Sequence, residues 1–197
     1  MARARTYNRQ EMLTRSMEVF WDRGYEATSI EDVTTATGVS RSSIYQAFGS
    51  KRGLFDAVVG RYLEGIDQML EPLERGSDGL EDVSAFFERW RETIRSGADG
   101  SLGCLIVNTL AERGHIDNEI VETGDSYMVR LRKAFLKPLE VSARMHEIEE
   151  GSAELRSQTL MLLTAGVFVA SRGQDRERIE ALLDGVVAVV ESWKLAT

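Results

Sequence analysis

Between Tyr25 and Leu54 the chain reads YEATSIEDVTTATGVSRSSIYQAFGSKRGL, and two short helices with a glycine turn between them are written into that stretch. Ser29, followed three residues later by Asp32, is a capping-box start for a helix carrying Ile30, Val33 and Ala36 on one side. Gly38 stops it, because the residue past a helix end commonly takes a left-handed conformation that costs little only for glycine. Val39 can plug the angle that follows, and Ser40 caps the next helix, Arg41 to Phe48. The spacing buries Ile44 and Phe48 and leaves Arg41, Ser42, Ser43, Tyr45 and Gln46 facing outward, a polar, hydrogen-bonding surface. A helix of this size fits the major groove of DNA, where Arg bonds guanine edges, Gln adenine edges and Ser either. Taken from the glycine turn alone, the same residues equally describe an ordinary αα-hairpin with a solvated face.

The flanking residues narrow the choice. They run F-x-x-x-G-Y-x-x-T-S-I (Phe20, Gly24, Tyr25, Thr28, Ser29, Ile30), then G-V-S (Gly38 to Ser40), then I-Y-x-x-F-x-S-K (Ile44, Tyr45, Phe48, Ser50, Lys51). Over residues 8 to 60 the chain resembles the TetR/AcrR family of transcriptional regulators. The resemblance implies a helix-turn-helix DNA-binding head on a helical ligand-binding and dimerisation body. It assigns base contacts to Arg41, Ser42, Ser43 and Gln46, and phosphate contacts to Thr28, Ser40, Tyr45 and Lys51. Ala47 departs from the pattern, standing where many relatives have a polar residue and so removing one possible phosphate contact.

The charge distribution suits such a division. The 197 residues carry a formal −8, from 24 Lys+Arg and 32 Asp+Glu. Residues 1–55 hold eight basic and six acidic residues, leaving sixteen basic against twenty-six acidic in the remainder. A protein that coats nucleic acid indiscriminately is excluded; a small DNA-facing head on an acidic body is not. No apolar run approaches a membrane span and the N-terminus lacks an apolar leader, so a cytoplasmic protein is expected. A lone cysteine, Cys104, excludes an internal disulfide and a multi-thiolate zinc site within one chain.

Two prolines, long helical periodicities and no alternating strand runs indicate an all-α chain, with a head at 1–50 and a body at 51–197. Asn8 and Glu11 start a first helix that carries Leu13, Met17, Phe20 and Trp21 and ends at Gly24. Before it, Arg3 and Arg5 lie on an arm that reads either as a minor-groove probe or as a solvated tail. A fourth helix begins at Lys51 and runs toward Met69 and Leu70, with Pro72 and the Gly76 to Gly79 cluster breaking the chain. A fifth covers about Leu80 to Ser96 and is followed by a turn at Gly97 to Gly100. A sixth is expected over Ser101 to Glu112, with Cys104 in its first turn. The seventh runs from Asp117 or Asn118 to about Pro138, with a possible interruption at Gly124.

The last two segments, about 153–171 and 176–195, are too apolar for one buried side. Their surplus, together with the resemblance, suggests a homodimer through a four-helix interface, with Ala165, Gly166 and Ala170 allowing close approach. A small apolar or amphipathic effector is expected among helices four to eight, with Met69, Phe87, Trp90, Cys104, Asn108, Tyr127, Met128 and Phe168 as candidate contacts, although residues of these types at helical spacing are also ordinary core. The other partner expected is a palindromic DNA operator. The Gly103-Cys104-Leu105 stretch is similar to a subset of the family in which a cysteine of this segment senses electrophiles; a buried core thiol is the competing reading. No cofactor is expected. Glu112 and His115 form one E-x-x-H, but a di-iron bundle needs two, and the residue three before His146 is Ala143. No phosphate loop or serine elbow appears either, so an enzyme is disfavoured. An activator or a ligand-independent regulator remains open on sequence grounds.

Overall fold

The computed structural model describes residues 7–96 and 103–195. All secondary structure among these residues is helical: α1 Arg9–Arg23, α2 Ile30–Thr37, α3 Arg41–Phe48, α4 Lys51–Arg75, α5 Leu80–Arg95, α6 Leu105–Arg113, α7 Asn118–Arg144, α8 Ala153–Ser171 and α9 Arg176–Glu191. The chain divides into two compact units, Met1–Ile66 and Asp67–Thr197, and α4 supplies residues to both. Arg3 and Arg5, the turn at Gly97 to Gly100, and Ser101 and Leu102 lie outside the described residues. No described helix is long and apolar enough to cross a membrane.

The first unit is built on an aromatic cluster. Phe20 of α1 stacks near Tyr25 at 6.2 Å and meets Phe55 of α4 edge-on at 5.1 Å, while Tyr25 meets Phe55 at 4.9 Å. The next residue of α1, Trp21, packs edge-on against Tyr62 at 5.1 Å. Val33, Ile44, Leu54 and Val58 complete a buried interior. Each such side chain removed from water contributes about 1.5–3 kcal/mol, enough to hold helices of only eight residues, which would not be stable alone.

The second unit centres on Phe86, Phe87 and Phe135, whose rings lie 5.1 to 5.9 Å apart. Leu131, Leu139, Leu160 and Leu183 are buried in the same unit. Phe135→Ala would leave a cavity costing about 3–5 kcal/mol. Between α5 and α9, Arg95 holds Glu180 through two hydrogen bonds of 3.1 and 2.8 Å, and the largely buried Arg91 reaches Asp184 at 2.5 Å.

Four sequence expectations change here. α4 does not stop before Pro72 but continues to Arg75; the proline lies in its last turn and is exposed, so it removes one hydrogen bond where the helix is ending anyway. α7 passes through Pro138 to Arg144, because Leu139 and Val141 beyond the proline are buried and hold the helix together. Gly124 does not interrupt α7; a Cβ there would lie 2.3 Å from Leu110 Cδ1, so the glycine lets α6 approach. α6 starts at Leu105, leaving Cys104 as the residue before the helix, with φ −110° and ψ 127°, and not within its first turn.

Candidate nucleic-acid interface

The recognition surface is positioned by its caps. Asn8 Oδ1 accepts the Gln10 N–H at 3.0 Å and starts α1. At α2 the capping box is closed in both directions: the Asp32 N–H donates to Ser29 Oγ at 3.1 Å, and the Ser29 N–H donates to Asp32 Oδ2 at 2.8 Å. The Ser29 hydroxyl adds a third bond at 2.6 Å, and Arg23 reaches the same carboxylate at 2.5 Å. These contacts, the Ser29 hydroxyl foremost, hold the Asp32 carboxyl below its ordinary 3.8. Gly38 adopts φ 69°, ψ 8° and turns the chain into α3. Val39 is buried, as expected of a plug.

Ser40 begins α3 by accepting the Ser43 N–H at 3.2 Å, with the Ser42 and Ser43 hydroxyls 3.0 and 2.9 Å from its own. Arg41, Ser42, Tyr45, Gln46 and Ala47 are exposed, Ser43 is half-buried and Ile44 is wholly buried. One side of α3 therefore anchors the helix and the other offers a guanidinium, hydroxyls and an amide. Arg41 is pre-positioned, with its guanidinium 2.5 Å from Glu31 and 5.5 Å from the centre of the Tyr45 ring. Lys51, half-buried at the start of α4, donates to the Glu26 carbonyl at 3.3 Å and lies 4.4 Å from the centre of the Tyr25 ring.

Thr28 departs from the role expected of it. It is only 1 % exposed, and its hydroxyl donates to the Gly24 carbonyl at 2.7 Å, so it braces the link from α1 to α2. The sequence reading also overlooked Glu31: it lies ten positions before Arg41, and only the turn at Gly38 brings the two together.

Of the candidate effector contacts, Phe87, Cys104, Tyr127 and Phe168 are buried, while Met69, Trp90, Asn108 and Met128 are half-buried. Trp90 packs on Phe168 at 4.8 Å and on Phe87 at 6.4 Å. Phe168 and Asn108 both border Gly103: a Cβ there would lie 2.6 Å from the Phe168 carbonyl oxygen and 3.4 Å from Asn108 Oδ1. Tyr127 faces the Cys104 thiol, and burial first, then that thiol, raise its hydroxyl well above the usual tyrosine range. Trp90, Phe168, Asn108, Cys104 and Tyr127 thus form one neighbourhood.

Comparison with known proteins agrees with this geometry. The family profile described as "Bacterial regulatory proteins, tetR family" matches residues 13–58, which span α1 to the first turns of α4. The HTH-type transcriptional regulator YezE of Bacillus subtilis (strain 168) is 27 % identical over 97 % of this chain and 100 % of its own. The HTH-type transcriptional repressor ComR of Escherichia coli (strain K12) is 42 % identical over 61 % of this chain and 58 % of its own. Among solved structures, a cysteine mutant of the TetR family transcriptional regulator CifR, complexed with 26-bp double-strand operator DNA, superposes with a TM-score of 0.74 at 24 % identity, covering 98 % of this chain and 100 % of that one. The matched profile lies over the very helices whose caps and faces are described above, and residues 13–58 belong to the tetR family of bacterial regulatory proteins.

Proposed function

We propose that this protein is a homodimeric, sequence-specific repressor that binds a palindromic operator through α3 and is released by a small molecule bound within its second unit. The observation that carries the reading is the outward face of α3: Arg41, Ser42, Tyr45 and Gln46 are exposed on a helix held from behind by buried Ile44 and from its start by Ser40. That combination of side chains can read base edges and phosphates in a major groove. The names of two similar proteins, the repressor ComR and the operator-bound CifR, support the same reading.

One short helix reads too few bases for a unique site, so a two-fold protein on a two-fold operator is required. α4 is the route by which a bound effector acts on the head, since Leu54 and Phe55 are buried in the first unit and Leu70 and Leu73 in the second, all on one continuous helix. The effector needs only a differential affinity for two arrangements of the body. Binding-site selection with the full chain tests the assignment: a two-fold logo is expected, with positions that weaken when alanines replace Arg41, Ser42, Ser43 and Gln46. A logo unchanged by those substitutions overturns it. Oxidation or alkylation of Cys104 is the weaker trigger, because the thiol is fully buried, even though its place just before α6 favours the thiolate.

A further inference from the structure

Three hydroxyls in the second unit are buried without a nitrogen or oxygen partner among the described residues: Tyr127 Oη and Ser142 Oγ on α7 and Thr164 Oγ1 on α8; of these, Tyr127 and Thr164 bear on the neighbourhood of Cys104. Leaving a polar group so placed is destabilising, and native interiors rarely tolerate it without a use. Among the described residues, the polar group acting on Tyr127 is the Cys104 thiol, and sulfur is a weak hydrogen-bond partner. Thr164 lies one helical turn before Phe168, whose carbonyl closes over Gly103 beside Cys104 and whose ring carries Trp90. Tyr127, Cys104, Phe168 and Trp90 therefore line one wall that carries the Tyr127 hydroxyl, and Thr164 lies one turn along α8 from it. Trp90, half-buried, is the outer member of that wall.

Among the described residues, no Lys, Arg, Asp or Glu acts on the Tyr127 hydroxyl, which burial keeps protonated and therefore a donor. Of the charges turned toward the interior of this unit, Arg113 pairs with Asp117 at 3.2 Å and Arg91 with Glu88 and Asp184, while Arg91 Nε is left buried without a hydrogen-bond partner among the described residues. An anion or cation brought against this wall would lose its hydration with nothing to replace it, at far greater cost than a neutral group.

We infer that the Tyr127 hydroxyl is the hydrogen-bond donor of the effector site, and that the effector is an uncharged molecule with a carbonyl or comparable acceptor oxygen on an aromatic or apolar body that displaces Trp90 from Phe168. The inference rests on the ligand-responsive reading above and names the chemistry of its ligand.

Four probes that differ only in their polar group test it on the full-length protein: acetophenone, benzoate, benzylamine and ethylbenzene. Binding is followed at millimolar concentration by ligand-observed NMR, with tryptophan fluorescence reporting the displacement of Trp90. Acetophenone should bind most tightly. Tyr127→Phe should weaken acetophenone about tenfold, the loss expected of one neutral hydrogen bond, and leave ethylbenzene unchanged. The same variant should melt at or above the parent temperature, because it removes an unsatisfied hydroxyl, which separates a binding role from a structural one. The inference is overturned if benzoate or benzylamine binds better than acetophenone, if Tyr127→Phe binds acetophenone as the parent does, or if no probe binds. Operator affinity is measured separately without any probe; its loss would count against the repressor reading and not against the site.

Discussion

Glu31, in the first turn of α2, holds the guanidinium of Arg41, the first residue of α3, at 2.5 Å across the glycine turn. Both side chains are more than half exposed, at 61 % and 65 %, so the pair adds little to stability. Its consequence is for recognition: the arginine best placed to read a guanine edge is occupied by a carboxylate that a DNA backbone would also repel. Glu31→Gln should raise operator affinity about two- to fivefold at low salt, with the gain fading as salt rises. Fluorescence anisotropy at two ionic strengths measures this. Weaker binding by the variant would mean that Glu31 orients Arg41 for DNA and does not compete with it.

Thr28 and Gln46 should separate cleanly. Thr28→Val removes a buried hydrogen bond to Gly24 and should destabilise the head by about 1–3 kcal/mol, leaving the salt dependence of operator binding unaltered. Gln46→Ala, at an exposed position, should leave the melting temperature unchanged and relax base preference by about 1–3 kcal/mol per half-site if its contact is bidentate. A reduced salt slope for Thr28→Val would restore the phosphate contact that its burial argues against.

Acid should loosen the head through Asp32. Its carboxyl titrates below the ordinary 3.8, because hydrogen bonds from the Ser29 hydroxyl and then the Ser29 N–H favour the carboxylate, with Arg23 adding to them. A carboxyl whose folded value is depressed contributes stability that is present above about 3.8 and is lost as pH falls through the lower, folded value. In melting curves between pH 6 and roughly pH 3, Asp32→Asn should start less stable and lose less than the parent over the acid limb. Parallel curves for the two proteins would mean that the capping box contributes nothing that titrates.

The head was legible in the sequence because its determinants are local. Asn8, Ser29, Gly38 and Ser40 each act within three or four residues, and the structure closes each cap where the spacing put it. The body was legible as helices but not in detail, because its determinants are distant. Pro138 and Gly124 look like breaks in one dimension, and only the burial of Leu139 and the close approach of Leu110 show that α7 runs through both. The same holds for Thr164: nothing in its neighbours along the chain says that its hydroxyl lies buried without a partner, a fact that depends on how α8 packs.

The dimer surface is where helix position and helix face must be distinguished. Leu183 and Val186 of α9 look as well suited to an interface by sequence as any residue of the last two helices, yet both are buried within the chain's own second unit. On α8, Leu155, Leu162 and Val169 recur every seven residues and are 60 to 69 % exposed, an apolar stripe that a solvated helix would not keep. Gly166 and Ala170 lie exposed beside it and would let a second helix approach. Leu162→Glu should therefore fold normally, since the carboxylate is solvated in the monomer, and should dissociate the dimer, because burying that charge unpaired against a second copy costs several kcal/mol. Leu183→Glu should instead unfold the second unit. Sedimentation velocity and circular dichroism on both variants decide between these outcomes. Operator affinity for Leu162→Glu should drop with the dimer, since each monomer then holds a single half-site. A Leu162→Glu protein that stays dimeric with full operator affinity would move the interface off this face of α8.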